Sequence, residues 1–128
     1  IAVSPKFKAS YGLLGTTFGG NHLACAAAVS VLEVIQEEKL LANAEKVGSY
    51  LISELNKFDK IEEVRGRGLM IGFDLPAELA HVKKDLLFKD RIFTGEAKPN
   101  VIRILPALNI TTAIADQFLT ALDQRLKA

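Results

Sequence analysis

The stretch 61-IEEVRGRGLMIGFDLP-76 changes the rhythm of the chain. Upstream of it, apolar residues recur every three or four positions. Within it, Leu69, Ile71, Phe73 and Leu75 alternate with Met70, Gly72 and Asp74, the period of a half-buried strand. Ile61 to Val64 reads as a short first strand, "RGRG" as the turn, and Leu69 to Leu75 as the second strand. Two strands joined by a short glycine-containing turn predict an antiparallel hairpin, which Pro76 closes. The cluster Gly66 to Gly72 superficially suggests a dinucleotide fingerprint. That motif must lead from a strand into a helix, and no helix begins here. Arg65 and Arg67 are then solvated, or face a partner.

Working outward, Lys39 to Phe58 carries Leu40, Ala44, Val47, Leu51, Leu55 and Phe58 at steps of three and four, an amphipathic helix. Before it, Leu23 to Gln36 is helical on a stripe of Leu23, Ala24, Ala27, Val31, Val34 and Ile35. Its first half is alanine-rich almost all round, which predicts burial on several sides. Residues 1–14 are aperiodic and read as a loop or as the tail of a larger unit. After the hairpin, Glu78 to Asp90 forms a third helix on Leu79, Val82 and Leu86. Ile92 to Thr94 reads as a brief strand, "GEAKPN" as a turn, and Val101 to Leu105 as a final strand ended by Pro106. Thr111 or Thr112 can cap a last helix carrying Ile114, Phe118, Leu122 and Leu126. The expected fold is α/β (α+β), a small, mainly antiparallel sheet covered by helices.

Composition narrows the function. The chain has 128 residues, 49% hydrophobic and 24% charged, as suits a single packed domain. A net charge of +1 without basic runs gives no footprint for nucleic acid. Cys25 is the only cysteine, so no internal disulfide can form and a reducing compartment is expected. Charges interrupt the apolar stretches before membrane-spanning length. The first residue is Ile1 and the only methionine is Met70, from which we expect a piece of a longer protein.

Two places could do chemistry. In 15-GTTFGGN-21, glycines let the backbone turn tightly, Asn21 can cap the following helix, and Thr16 and Thr17 add hydroxyls. A helix N-terminus behind such a loop suits a phosphate or carboxylate. The same composition also serves a turn that does no more than introduce a helix. The second place is Arg103 in 100-NVIRILPAL-108. Alternation sets it on the face of Val101 and Leu105, between Ile102 and Ile104. A guanidinium in an apolar strand needs an acidic partner, an open cleft that admits a carboxylate, or an edge from which it reaches water. His22 and His81 lack clustered acidic ligands, so no metal site is expected. Cys25 reads as a small core residue.

The run 15-GTTFGGNHLACAAAVSVLEVI-35, followed by 64-VRGRGLMIGFDL-75 and 100-NVIRILPAL-108, resembles the C-terminal part of the class III pyridoxal-phosphate aminotransferases. Within that group it is most similar to the acetylornithine and ornithine enzymes. The resemblance covers nearly the whole chain. It implies the C-terminal small domain of a fold-type I enzyme, with residues 1–22 as the tail of the large domain and 23–128 as a connecting helix and the small domain. It further implies a cytoplasmic homodimer with sites at its interface. By this resemblance Thr17 binds the pyridoxal 5'-phosphate phosphate held by the neighbouring subunit and Thr16 lies near the substrate. Arg103 faces the substrate pocket, meeting a substrate carboxylate or an acidic residue of the large domain.

The chain departs from the family pattern at Leu14, where a histidine is usual, and at His22 and Ala107, where prolines are. The changes at Leu14 and Ala107 bear on the acyl group taken, acetyl or a longer one such as succinyl. The lysine that holds the cofactor covalently, and the acid that faces the pyridine nitrogen, are expected upstream of Ile1. The full protein would then move an amino group from an N-acylornithine to 2-oxoglutarate in arginine biosynthesis, and this chain alone would be inactive. The rival expectation is a free-standing α/β module that binds a small anion or mediates assembly.

Overall fold

Gly68 and Leu69 form the turn on which the sheet is built. The computed structural model describes residues 4–8, 10–12, 15–98 and 100–127, so Leu14 lies outside the described residues. Strand β1 (Glu63–Arg67) and strand β2 (Met70–Asp74) pair antiparallel, with Arg67 opposite Met70 and Val64 opposite Phe73. Gly68 holds φ at +55°. It occupies the first central position of a two-residue hairpin loop, where a type II′ turn calls for glycine.

Strand β4 (Val101–Ile104) runs antiparallel along the other edge of β2, and β3 (Gly95–Lys98) along β4, giving the order β1-β2-β4-β3. Ile71 lies opposite Ile104 and Phe73 opposite Ile102. All four side chains enter the core. Burying each is worth roughly 1.5–3 kcal/mol.

Helices α2 (Leu40–Leu55) and α4 (Thr112–Lys127) supply the other half of that core, with the short α3 (Val82–Phe88) beside them. Val47, Leu51 and Leu55 come from α2, Val82 and Leu86 from α3, and Ala115, Leu119, Leu122 and Leu126 from α4. The Thr111 hydroxyl accepts the Ile114 N–H at 3.3 Å, so Thr111 caps α4. Asp90 clamps Arg125 of α4 through two hydrogen bonds of 2.7 and 2.8 Å, tying α4 to the segment after α3. Helix α1 (His22–Glu37) precedes this unit and packs on α2.

Several expectations hold. The alternation of Leu69, Ile71, Phe73 and Leu75 is a true burial pattern, and the α2 stripe faces the core. Others need correction. β1 continues through Arg65, Gly66 and Arg67, so the turn is Gly68–Leu69 and not "RGRG". Gly66 is in the strand because a side chain there would strike β2: its Cβ would lie 2.4 Å from the Met70 carbonyl oxygen. The third helix is broken, with a 3₁₀ turn at Ala77–Leu79 before α3.

Ile92 to Thr94 is not a strand, and "GEAK", read as a turn, is β3. Its sequence lacks apolar alternation because it pairs on one side only, as an edge strand. On α4 the buried stripe runs through Ala115 and Leu119, leaving Ile114 exposed and Phe118 half-buried. The largest departure is α1. None of its residues is buried, Leu23 is 81% and Leu32 66% exposed, and Cys25 is exposed instead of lying in a core. An apolar helix of this kind needs cover, and α2 gives it only part of that, none of its residues being buried.

Candidate functional site

Two surfaces carry the residues singled out from the sequence. The first is the loop Gly15 to Asn21, all of it exposed. Asn21 is extended and its Oδ1 accepts the Ala24 N–H at 3.0 Å, the N-cap of α1. Its Nδ2 donates back to the Phe18 carbonyl at 2.8 Å, which closes the loop on itself. Gly20 takes φ +76°, and a Cβ on Gly19 would fall 1.9 Å from Thr16 Cγ2. Glycine at 19 therefore makes room for Thr16 within the bend.

Among the described residues neither the Thr16 nor the Thr17 hydroxyl makes a hydrogen bond. The first turn of α1 contains no acidic residue. Free hydroxyls, a capped helix start and no competing carboxylate fit an anion at the N-terminal end of α1. The bend is not packed into the interior of this chain.

The second surface is the sheet face turned away from the helices. Pairing sets Arg65, Gly72, Arg103 and Gly95 in one row across the four strands. Arg65 is engaged: its guanidinium lies 2.7 Å from Asp74 and 3.5 Å from Glu63. The close Asp74 carboxylate holds its pKa above the ordinary arginine value. Arg103 differs. It is exposed on an internal strand, with buried Ile102 and Ile104 on either side, and among the described residues it makes no hydrogen bond or ion pair. Arg103 reaches water, though not from an edge, because β4 lies between β2 and β3.

On the helix side of the sheet, where the end of β4 meets α4, the chain forms an apolar cleft of ≈ 230 Å³, walled by Phe93, Ile104, Leu105, Pro106, Ile114 and Phe118 among others; Arg103 does not line it. Thr94 Oγ1 in its wall is buried and has no hydrogen-bond partner in the structure. From α2, Asn43 Nδ2 donates to the Leu108 and Ile110 carbonyls at 2.8 and 3.0 Å, fixing the loop that follows Arg103.

No hydrogen bond or ion pair among the described residues joins the threonine loop to Arg103. The two surfaces are separate within this chain. The sequence reading missed the neighbours of Arg103, namely Gly72, Gly95 and the ion-paired Asp74. Alternation in "MIGFD" places Gly72 and Asp74 on the Arg103 face. Gly95 could not be found that way, because its segment reads as a turn. No group of three or more metal-ligating side chains occurs among the described residues, and no helix is long and apolar enough to cross a membrane.

The family model for class-III aminotransferases matches residues 3–126. The chain is 38% identical over 109 residues to acetylornithine aminotransferase of Nitrosomonas europaea, covering 82% of this chain and 28% of that protein. It is 43% identical over 102 residues to ornithine aminotransferase of Bacillus subtilis, covering 78% of this chain and 25% of that one. Among solved structures, acetylornithine aminotransferase from Elizabethkingia anophelis superposes with a TM-score of 0.80 at 32% identity, over 94% of this chain and 32% of that one. The chain thus spans between a quarter and a third of the length of these relatives. With a match across nearly all its residues, the chain belongs to the class-III aminotransferase family.

Proposed function

We propose that this chain is the C-terminal part of a pyridoxal-phosphate-dependent aminotransferase that takes an N-acylornithine or a related ω-amine as donor and 2-oxoglutarate as acceptor. Residues 1–22 then belong to the large domain and carry the phosphate loop, and 23–128 are the connecting helix and the small domain. The full protein works as a homodimer, in the cytoplasm, in arginine biosynthesis. Relatives that bear acetylornithine and ornithine in their names support the donor class.

The observation that carries the reading is the exposed Gly15–Asn21 bend, with two uncommitted hydroxyls at a capped helix N-terminus. Such a rim offers donors to a phosphate and no wall behind it, as expected of a group held mainly by another subunit. Thr17 would hold the phosphate, and Thr16 would touch cofactor or substrate across the dimer. Pyridoxal phosphate, when bound, supplies the electron sink that amino-group exchange requires. This chain's residues bind and orient: Arg103 offers a planar fork, unpaired among the described residues, to a carboxylate. No lysine of the chain sits in a motif for covalent attachment, so the chain by itself does not turn over.

The test is Thr17→Val in the full-length protein. Loss of one hydrogen bond to a charged group costs about 1.5–3 kcal/mol, a roughly 10- to 100-fold weaker cofactor affinity. The measurement is equilibrium titration of the apoenzyme by absorbance. An unchanged affinity counts against Thr17 as a phosphate donor.

A further inference from the structure

Resting on the reading of Arg103 as a carboxylate-binding residue, we propose that Gly95 is a positioning residue for its guanidinium. Gly95 lies directly opposite Arg103 in the β3–β4 pairing. A Cβ built on it would stand 3.1 Å from Arg103 Nε and 3.5 Å from its terminal nitrogen Nη2, and 3.2 Å from the Arg103 carbonyl oxygen. The guanidinium therefore leans over the edge strand and uses the space that the missing side chain leaves.

Backbone conformation does not require glycine here. Gly12, Gly20 and Gly68 are the described glycines with positive φ, and Gly95 is not among them. Gly48 and Gly66 are held by backbone at 2.0 and 2.4 Å. Gly72, on the other side of Arg103, has its nearest neighbours at 3.9 and 4.0 Å, ordinary contact. Gly95 alone among the described glycines is crowded by the charged end of a side chain.

An edge strand also favours a β-branched or other bulky residue on propensity, so a glycine at 95 runs against local preference. The consequence is specific. A side chain at 95 would press on the guanidinium and on the Arg103 carbonyl, lifting the fork off β3 and turning it while leaving its charge. A fork held near one orientation binds a carboxylate through two parallel hydrogen bonds. A displaced fork binds through one, or only as a point charge.

The experiment uses the full-length holoenzyme and steady-state kinetics with 2-oxoglutarate. Gly95→Val is expected to raise the KM for 2-oxoglutarate about tenfold, the cost of misplacing a positioning group by less than 1 Å. Its cofactor affinity should not change. Gly95→Ala, which keeps the smallest side chain, is expected to show a weaker effect in the same direction and guards against misfolding by the valine. Arg103→Ala should raise the KM further, and adding Gly95→Val to it should then do nothing more, because the two act as a unit.

If Arg103→Ala raises the KM and both Gly95 variants leave it unchanged, this inference is overturned and the role of Arg103 stands. Additive effects in the double variant overturn it as well, since Gly95 would then act by another route. If Arg103→Ala itself leaves the KM unchanged, the reading of Arg103 fails and the positioning role falls with it.

Discussion

Helix α2 touches the β1–β2 turn through two glycines: a Cβ on Gly48 would lie 2.0 Å from the carbonyl oxygen of Gly68 and 2.4 Å from its carbonyl carbon. Backbone meets backbone there, and neither partner is the end of a flexible side chain. This contact sets the hairpin against the helix and so fixes the tilt of the whole sheet. Gly48→Ala gains about 1 kcal/mol of helix propensity but must push the turn away. Overpacking of this kind costs about 1–3 kcal/mol, and with no free side chain to yield the cost should prevail. Urea denaturation is expected to show a lower midpoint for Gly48→Ala. Gly72→Ala, with ordinary contacts at 3.9 and 4.0 Å, should be near neutral and serves as the control.

A second prediction concerns pH. The Arg125 guanidinium hydrogen-bonds both oxygens of Asp90 and thereby holds the Asp90 pKa below its ordinary value. A carboxylate with a lowered folded pKa stabilises the fold fully above the unfolded value of about 3.9 and loses that contribution as pH falls through the lowered folded value. Arg125→Leu is therefore expected to lower the melting temperature at neutral pH and to flatten its fall on acidification below about pH 4. Melting curves of both proteins between neutral and strongly acid pH measure this. Parallel curves would show that ionisation of Asp90 adds nothing to stability through Arg125.

The pattern of what could be read from the sequence has a physical cause. Where one face is buried inside this chain, periodicity names the right residues: Val47, Leu51, Ile71, Phe73 and Ile102 all lie in the core. Where the chain does not bury what its sequence prepares, periodicity misleads. Leu23, Val31 and Val34 form a genuine apolar stripe, yet they are exposed because their cover is not among the described residues. The edge strand β3 was invisible for a different reason. Gly-Glu-Ala-Lys pairs through its backbone on one side and needs no side-chain alternation. The same limit hid Gly95 from the sequence reading while Arg103, in a strongly alternating strand, stood out. Thr16 and Thr17 were legible from the loop composition, but their meaning came from resemblance.

Lys39 offers a third, simpler test. It joins α1 to α2 with φ at +52°, the left-handed region, and its side chain makes no capping hydrogen bond. A non-glycine residue there carries steric strain that glycine does not. Part of that gain is offset by the greater freedom of glycine in the unfolded chain. Lys39→Gly should stabilise by about 0.5–1 kcal/mol. Lys39→Pro, which locks φ near −65°, should be strongly destabilising. Chemical denaturation distinguishes the two, and a loss of stability in Lys39→Gly would show that the lysine has a role this geometry does not reveal.

The exposed α1 face supports a last prediction, about the 128-residue chain expressed alone. Leu23, Val31, Leu32 and Val34 are all exposed, and Phe18 adds a further ring at the start of the helix. Contiguous apolar surface of this sort drives association or marks an interface. Burial returns about 25 cal/mol for each Å² removed from water. The isolated chain should therefore self-associate with rising concentration in sedimentation experiments. Leu32→Lys, which puts a charge on the side of this apolar helix opposite Leu23, should shift the equilibrium toward monomer with little effect on melting temperature, because Leu32 is outside the core. The control is Phe73→Ala. Phe73 is wholly buried, so this change should lower the melting temperature by removing about 3–5 kcal/mol of stability. Were Leu32→Lys to unfold the chain as Phe73→Ala does, α1 would be packed against something in the free protein, and the helix could not be an open interface.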